Sequence, residues 1–384
     1  MTDTSMTDIS MTDKSITDTS MMDIEGIIFL EKTNLLSYLP EYPSDLCSLC
    51  KNDESIRKII DNFIQDTSLD ISHIKTFNSK TICPKISKLT REVIEVLKRQ
   101  KNYVTLFFDE SFIDKNKLFT MLPEHIKYIT LEGTSNMMFD EELELDMTNL
   151  PRELIYLDIG YKFKYELTLN HLPEGLKVLR TGAKVDVPVE NLPQGLKILE
   201  IGTQFSHSID NLPDSIKILI FKTKSSNWNI YYARPYSSYN FYSKKINKLP
   251  LGLEVLILDY IHDDVICNID FSYLDKLTYL ALPDYFNEKE FFNSSNIKWP
   301  PKLKKLYIGR TYNKVISILP NGLEFLVVHQ YFDLEKNLVF VPSSLKKVIV
   351  DIRQQIIMSD KCHYGTFKKI QDKFPSIEIR LLSN

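Results

Sequence analysis

The feature that most constrains this chain is one recurring dipeptide, an apolar residue followed by proline, most often Leu-Pro. Its proline stands at 123, 151, 173, 193, 213, 250, 300, 320, 342 and 375, so ten of the 17 prolines share one periodic position. The commonest spacing is about 20–22 residues, the period of a repeat array. The gap between 250 and 300 hides a further unit in which Leu274 replaces proline, before Leu277, Leu280 and Leu282. About eleven units result.

Four units superpose without gaps: Leu154–Leu167, Leu176–Val189, Leu196–Ile209 and Leu303–Ile316. Apolar residues fall at relative positions 1, 4 and usually 6, glycine at 7, an aromatic residue or valine at 10, and an aliphatic at 14. Leu196, Leu199, Ile201, Gly202, Phe205 and Ile209 show the pattern. Positions 4 and 6 alternate as on a strand with one buried face. Proline three residues before position 1 presets φ for a turn, and Gly175, Gly195, Gly252 and Gly322 suit the last place of a type I turn. One unit of 20 residues cannot bury its own Leu/Ile face, so the units must stack. At about 4.8 Å per parallel strand, ten or eleven units make a sheet roughly 50 Å long.

These residues carry a resemblance. Leu-Pro-x-x-Leu-x-x-Leu-x-Ile-Gly, followed by a segment such as Tyr312-Asn313-Lys314-Val315-Ile316 or Phe205-Ser206-His207-Ser208-Ile209, resembles the FNIP repeat, a short relative of the leucine-rich repeat. It covers about residues 122–350. That family is known chiefly from amoebae and the large DNA viruses that infect them, and no enzymatic activity attaches to the repeat. The resemblance implies a curved solenoid that binds other proteins. The expected fold class is an α+β repeat protein: a leucine-rich-repeat-like solenoid with a parallel β-sheet face and a small helical N-terminal cap.

Four segments follow. Residues 1–25 are a pentapeptide repeat, Met-Thr-Asp-Thr-Ser and its variants, with too few apolar residues to repay the entropy of ordering. They read as a disordered tail or a phosphorylation target. Residues 26–100 read as helical, the last helix covering Lys85–Gln100. The solenoid occupies 101–350, beginning with a strand at Tyr103–Phe108 and interrupted by an aromatic insertion at 223–247. Residues 351–384 close it with a helix, Thr366–Phe374, and a strand, Ile377–Leu382.

In the N-terminal part, Leu35-Leu36-Ser37-Tyr38-Leu39, Asp45-Leu46-Cys47-Ser48-Leu49-Cys50 and Ile56-Arg57-Lys58-Ile59 are similar to the second half of an F-box. The opening Leu-Pro-x-Glu of that motif is replaced by Ile27-Ile28-Phe29-Leu30. By this resemblance residues 27–63 dock Skp1 and the chain is a substrate receptor of a Skp1-cullin ubiquitin ligase. The alternative is a helical cap over the solenoid's first strand.

If the strands behave as in leucine-rich repeats, positions 3 and 5 face the concave side. Position 3 reads Tyr128, Tyr156, Val178, Ile198, Ile218, Val255, Tyr279, Lys305, Phe325 and Lys347. Position 5 includes Asp158, Arg180, Glu200 and Tyr307. A row this apolar marks either a partner site or intramolecular packing. Asp158, Arg180 and Glu200 alternate in charge along neighbouring strands, either as a ladder that fixes register or as a hot spot centred on Arg180. The insertion carries Trp228, Tyr231, Tyr232, Arg234, Tyr236, Tyr239, Phe241 and Tyr242, residue types enriched in interface hot spots. The expected partner-binding residues are Tyr128, Tyr156, Asp158, Arg180, Glu200, Trp228, Tyr231, Tyr232, Arg234, Tyr279, Tyr307 and Phe325.

The 384 residues carry 47 Lys and Arg against 51 Asp and Glu, a formal charge of −4, without the basic surplus that phosphate neutralisation needs. This argues against nucleic acid as partner. No apolar run is long enough to span a membrane and no signal-peptide core opens the chain. Five irregularly spaced cysteines fit a reducing compartment rather than a disulfide framework. Cys47-x-x-Cys50 has zinc spacing, but His73 and Cys83 do not complete a ligand pair. His262-Asp263-Asp264 and His329 stand alone, and no phosphate-binding or nucleophile motif occurs. The reading is a cytoplasmic, monomeric, non-catalytic scaffold without cofactor or metal, in the host cytoplasm if viral, whose protein partner the sequence does not name.

Overall fold

The computed structural model describes residues 120, 122–133, 142–144, 147–159, 164–166, 171–181, 185–221, 242–288, 291–293, 297–309, 311–329, 331–351, 375 and 377–382, with three earlier strands at 69–70, 84–86 and 103–108. All of them belong to the second of two units, Gln65–Asn384.

Sixteen strands are described. They are β1 (Leu69–Asp70), β2 (Pro84–Ile86), β3 (Tyr103–Phe108), β4 (Tyr128–Gly133), β5 (Glu142–Glu144), β6 (Tyr156–Asp158), β7 (Lys164–Glu166) and β8 (Val178–Arg180). There follow β9 (Ile198–Ile201), β10 (Ile218–Phe221), β11 (Val255–Leu258), β12 (Tyr279–Ala281), β13 (Lys305–Tyr307), β14 (Phe325–His329), β15 (Lys347–Asp351) and β16 (Glu378–Leu382). Fourteen form one parallel sheet in chain order, and β5 pairs with β7 separately. Every position-3 residue from Tyr128 to Lys347 begins a strand, and the registers align them from rung to rung, as in Tyr156↔Val178 and Tyr279↔Lys305.

Each rung is entered through the proline turn. The amide of the position-1 residue donates to the proline carbonyl three residues back, as in Leu154 to Pro151 (3.1 Å) and Leu196 to Pro193 (3.0 Å), and Leu277 donates to Leu274 (3.1 Å) in the unit without proline. Proline is therefore the first residue of the turn and glycine the third, one place earlier than the sequence reading had them. Gly175 and Gly322 meet only ordinary contacts, Gly195 meets the end of the flexible Lys177 side chain, and none has a left-handed φ. Gly252 and Gly309 differ, because a Cβ would collide with the carbonyl oxygen of Asp214 or of Pro283. There glycine serves close backbone approach rather than an unusual dihedral.

Positions 1, 4, 6, 10 and 14 form one continuous core along the array. Leu196, Leu199, Ile201, Phe205 and Ile209 in one unit, and Leu303, Leu306, Ile308, Tyr312 and Ile316 in another, are all buried in it. Behind the sheet, aromatic side chains stack between units: Phe286 on Tyr312 at 6.2 Å and Tyr312 on Phe332 at 6.4 Å. Position 11 satisfies the backbone of the next unit. Asn313 Oδ1 accepts from the Asp333 amide at 3.0 Å, and Asp186 Oδ1 accepts from the Ser206 amide at 2.8 Å. An aspartate therefore does the work of the repeat's asparagine.

The sheet begins earlier than expected. Pro84–Ile86 is a strand paired with β1 and β3, so no helix starts at Lys85, and β1 and β2 fall within the segment read as a helical cap. The rest of 26–100, the tail 1–25 and the helix expected at Thr366–Phe374 lie outside the described residues. The closing strand forms as β16, a further parallel rung beside β15. Among the described residues, two short α-helices, α1 (Asp263–Cys267) and α2 (Leu334–Asn337), and a 3-10 helix at Met147–Asn149 lie between rungs.

Candidate functional site

Positions 5 of three consecutive rungs bring three ionisable side chains together on the sheet. Register sets Asp158 opposite Arg180 and Arg180 opposite Glu200. Arg180 Nη1 lies 3.1 Å from Asp158 Oδ2, while Nη2 and Nε both lie 2.8 Å from Glu200 Oε2. The Tyr156 hydroxyl stands 3.5 Å from Asp158 Oδ2 and from Arg180 Nη1. Asp158 and Glu200 are 4% and 5% exposed, and the Arg180 side chain 15%.

Burial by itself lowers the Arg180 pKa, but the facing Glu200 and Asp158 outweigh it and hold the guanidinium charged well above its usual range. Burial raises the Tyr156 phenol, against the pull of Arg180, so the hydroxyl stays protonated. One cation serves two carboxylates, and such a buried network holds together only while all its members are present.

Elsewhere on this face most of the described side chains are buried too. Tyr156, Val178, Ile198, Ile218, Val255, Tyr279 and Tyr307 are all in the interior, as both faces of parallel sheets usually are. Tyr307 donates to Asp284 Oδ1 at 3.0 Å, and Lys305 lies 4.3 Å from the Phe325 ring centroid in a cation–π contact. Among the expected partner-binding residues, only Arg180 and Phe325 are described as partly exposed. Tyr128 begins β4; Trp228, Tyr231, Tyr232 and Arg234 lie outside the described residues. Tyr242, at the end of the insertion, is core: its ring stacks on Phe205 at 5.9 Å and tilts against Phe221 at 5.4 Å.

The isolated histidines have structural surroundings. His262 caps α1, its Nδ1 accepting from the Asp264 amide at 3.3 Å, and His329 is buried with its ring 5.2 Å from Tyr331. Cys267 closes α1; although its side chain is exposed, local desolvation, then Glu288 and other acids, push its thiol up to about 12, far from a reactive thiolate. Among the described residues no group of His, Cys, Asp or Glu could hold a metal ion, and no helix is long and apolar enough to cross a membrane.

The sequence reading passed over exposed apolar side chains in the last units. Ile316 and Leu338 pair in a bridge with their side chains in the core, which leaves Val315 and Val339 beside them exposed. Val339 is 63% exposed and Phe340 43%. The signal was present: the residue two before proline is Asn149, Asn191 or Asn211 in early units and Phe340 in this one.

The family model for the FNIP Repeat matches residues 187–224. Among solved structures, CroV588, described as a novel circular LRR protein, is similar at 24% identity with a TM-score of 0.44, over 64% of this chain and 36% of that one. The present chain thus spans little more than a third of that protein's length. No curated protein matches the chain.

Proposed function

We propose, from the premise that residues 187–224 carry an FNIP repeat within a leucine-rich-repeat-like solenoid, that this chain is a non-catalytic protein–protein interaction scaffold. The observation that carries the reading is the exposed Val339-Phe340 pair, on a scaffold where most of the described ladder is buried. Adjacent exposed apolar side chains suit a protein partner's hot spot. Arg180 and Phe325, the partly exposed members of the ladder, are secondary contacts.

The test is affinity capture with the full chain against a Val339→Asp/Phe340→Asp variant, read by quantitative mass spectrometry. Loss of a hot spot of ~2 kcal/mol weakens a partner about thirtyfold, so a true partner drops out of the variant's captured set. An unchanged set removes this patch as the docking surface. A wild-type set no larger than the bead control removes the scaffold reading.

A second reading, the F-box-type substrate receptor, rests on the sequence of residues 27–63, which lie outside the described residues. Binding of purified Skp1 to the full chain measures it directly. Any truncation used as a control must stop at Ile64, because β1 and β2 belong to the sheet.

A further inference from the structure

One row of lysines on the array lacks the carboxylates that the same row carries elsewhere. Position 2, just before each strand, stacks from rung to rung because its amide donates to the position-2 carbonyl of the unit before. Lys197 donates in this way to Lys177, and Lys217 to Lys197, at 2.8 Å each. Through these three consecutive units position 2 is lysine, while later units bring in Glu254 and Glu324.

The acids show what suits the row. Glu254 Oε1 lies 3.4 Å from Lys217 Nζ. Glu324 stands between two lysines, its Oε1 3.1 Å from Lys304 Nζ on one side and its Oε2 2.6 Å from Lys346 Nζ on the other. One carboxylate thus serves ammonium groups from two rungs. Lys177 and Lys197 have no such neighbour: among the described residues neither has a carboxylate within ion-pair reach, and both are only partly exposed. Lys177 Nζ lies over the turn of the next unit, where a Cβ at Gly195 would meet it at 2.7 Å, so glycine leaves room for the ammonium group. Like charges on rungs about 4.8 Å apart repel, and a carboxylate set between them relieves the repulsion.

We propose that Lys177, Lys197 and Lys217 dock an acidic helix of a protein partner, laid along the array so that a carboxylate enters each interval between neighbouring ammonium groups. The carboxylate follows from Glu324, which fills the same place between Lys304 and Lys346. The helix follows from spacing. Residues three or four apart on an α-helix rise about 4.5–6 Å, close to the distance of about 4.8 Å between rungs. Same-face residues of an extended strand are about 6.8 Å apart and fall out of step. A nucleic acid fits less well, because three lysines on a chain of net charge −4 give no wider basic surface for a phosphate backbone. The proposal names a second surface for the scaffold reading and does not depend on the Val339-Phe340 pair.

Fluorescence anisotropy on the full chain tests it. The probe is a labelled alanine-based helical peptide of about 20 residues with glutamate every three or four positions along one face, titrated with about 1 µM to about 1 mM protein. The peptide should bind, and replacing its glutamates by glutamine, or raising salt from about 0.05 to about 0.5 M, should weaken it about tenfold or more. Lys197→Glu gives the row its own carboxylate between Lys177 and Lys217, as Glu324 stands between Lys304 and Lys346. This variant should unfold no earlier than the wild type on heating, yet bind the peptide about tenfold or more weakly. Comparing the two peptides on the wild-type chain needs no variant to fold. No binding by the wild type, equal binding of the glutamine peptide, binding unchanged in Lys197→Glu, or a single-stranded oligonucleotide bound more tightly than the peptide overturns the proposal. Because the probe is synthetic, such a failure leaves the capture experiment on Val339 and Phe340 untouched.

Discussion

Arg180 directs two nitrogens, Nε and Nη2, onto one oxygen of Glu200, Oε2, at 2.8 Å each, and its remaining Nη1 onto Asp158 at 3.1 Å on the opposite rung. Three strands are thereby tied by one guanidinium inside the fold. Replacing Arg180 by alanine leaves two buried carboxylates without a counter-charge, a loss of about 3–5 kcal/mol. Urea denaturation of Arg180→Ala should show it, and converting Asp158, Arg180 and Glu200 together to apolar residues of similar size should recover most of it. A single-variant loss below about 1 kcal/mol means that the carboxylates are solvated after all.

Glycine substitutions should separate close approach from turn preference. In Gly309→Ala the new methyl meets the Pro283 carbonyl, a fixed backbone group, and the variant should lose about 1–3 kcal/mol. In Gly175→Ala the nearest atom is the Leu154 oxygen at 3.6 Å, ordinary contact, and the smaller entropy of the unfolded chain should leave stability unchanged or raised by up to about 1 kcal/mol. Thermal midpoints in the opposite order would contradict the turn geometry.

Asn313 Oδ1 accepts from both the Asp333 amide and Asn337 Nδ2, the latter at 2.6 Å. Asn313→Ala strands two donors between adjacent units and should cost about 1–3 kcal/mol. Hydrogen exchange is the direct readout: the Asp333 amide should exchange faster while amides in β8 and β9 remain as protected as before. A uniform change across the sheet would show that position 11 does not act locally.

Stability should fall with acid. Burial raises the Asp210 carboxyl, but donation from the Asn247 side chain and amide and from the Lys248 amide outweighs it and sets the pKa below the usual range. Lys346 and Lys304 lower Glu324. Asp333 is lowered by Lys336 against its own burial. Groups with a folded pKa below the unfolded value near 4 contribute fully above it and lose that contribution as pH falls through the folded value. The urea midpoint should hold from pH 7 to about 5 and drop towards pH 3, less steeply in Asp210→Asn. A flat profile between about pH 5 and about pH 3 would show that these bonds do not survive in solution.

What the sequence determined by itself was most of what repeats within one unit. The Leu-Pro turn, the strand starts from Tyr128 to Lys347, and the burial of positions 1, 4, 6, 10 and 14 are local patterns, repeated often enough that one aberrant unit, with Leu274 for proline, could not hide them. The order of charges Asp158, Arg180 and Glu200 was legible for the same reason, because equal spacing along the chain becomes adjacency across a parallel sheet. Only the tertiary structure decided which surfaces meet solvent. Tyr156, Tyr279 and Tyr307, which the sequence left as either a partner site or internal packing, are buried, because alternation along a strand separates two faces without saying that either is wet. Tyr242 left the insertion for the core by stacking on Phe205, a contact across 37 residues that no local period contains.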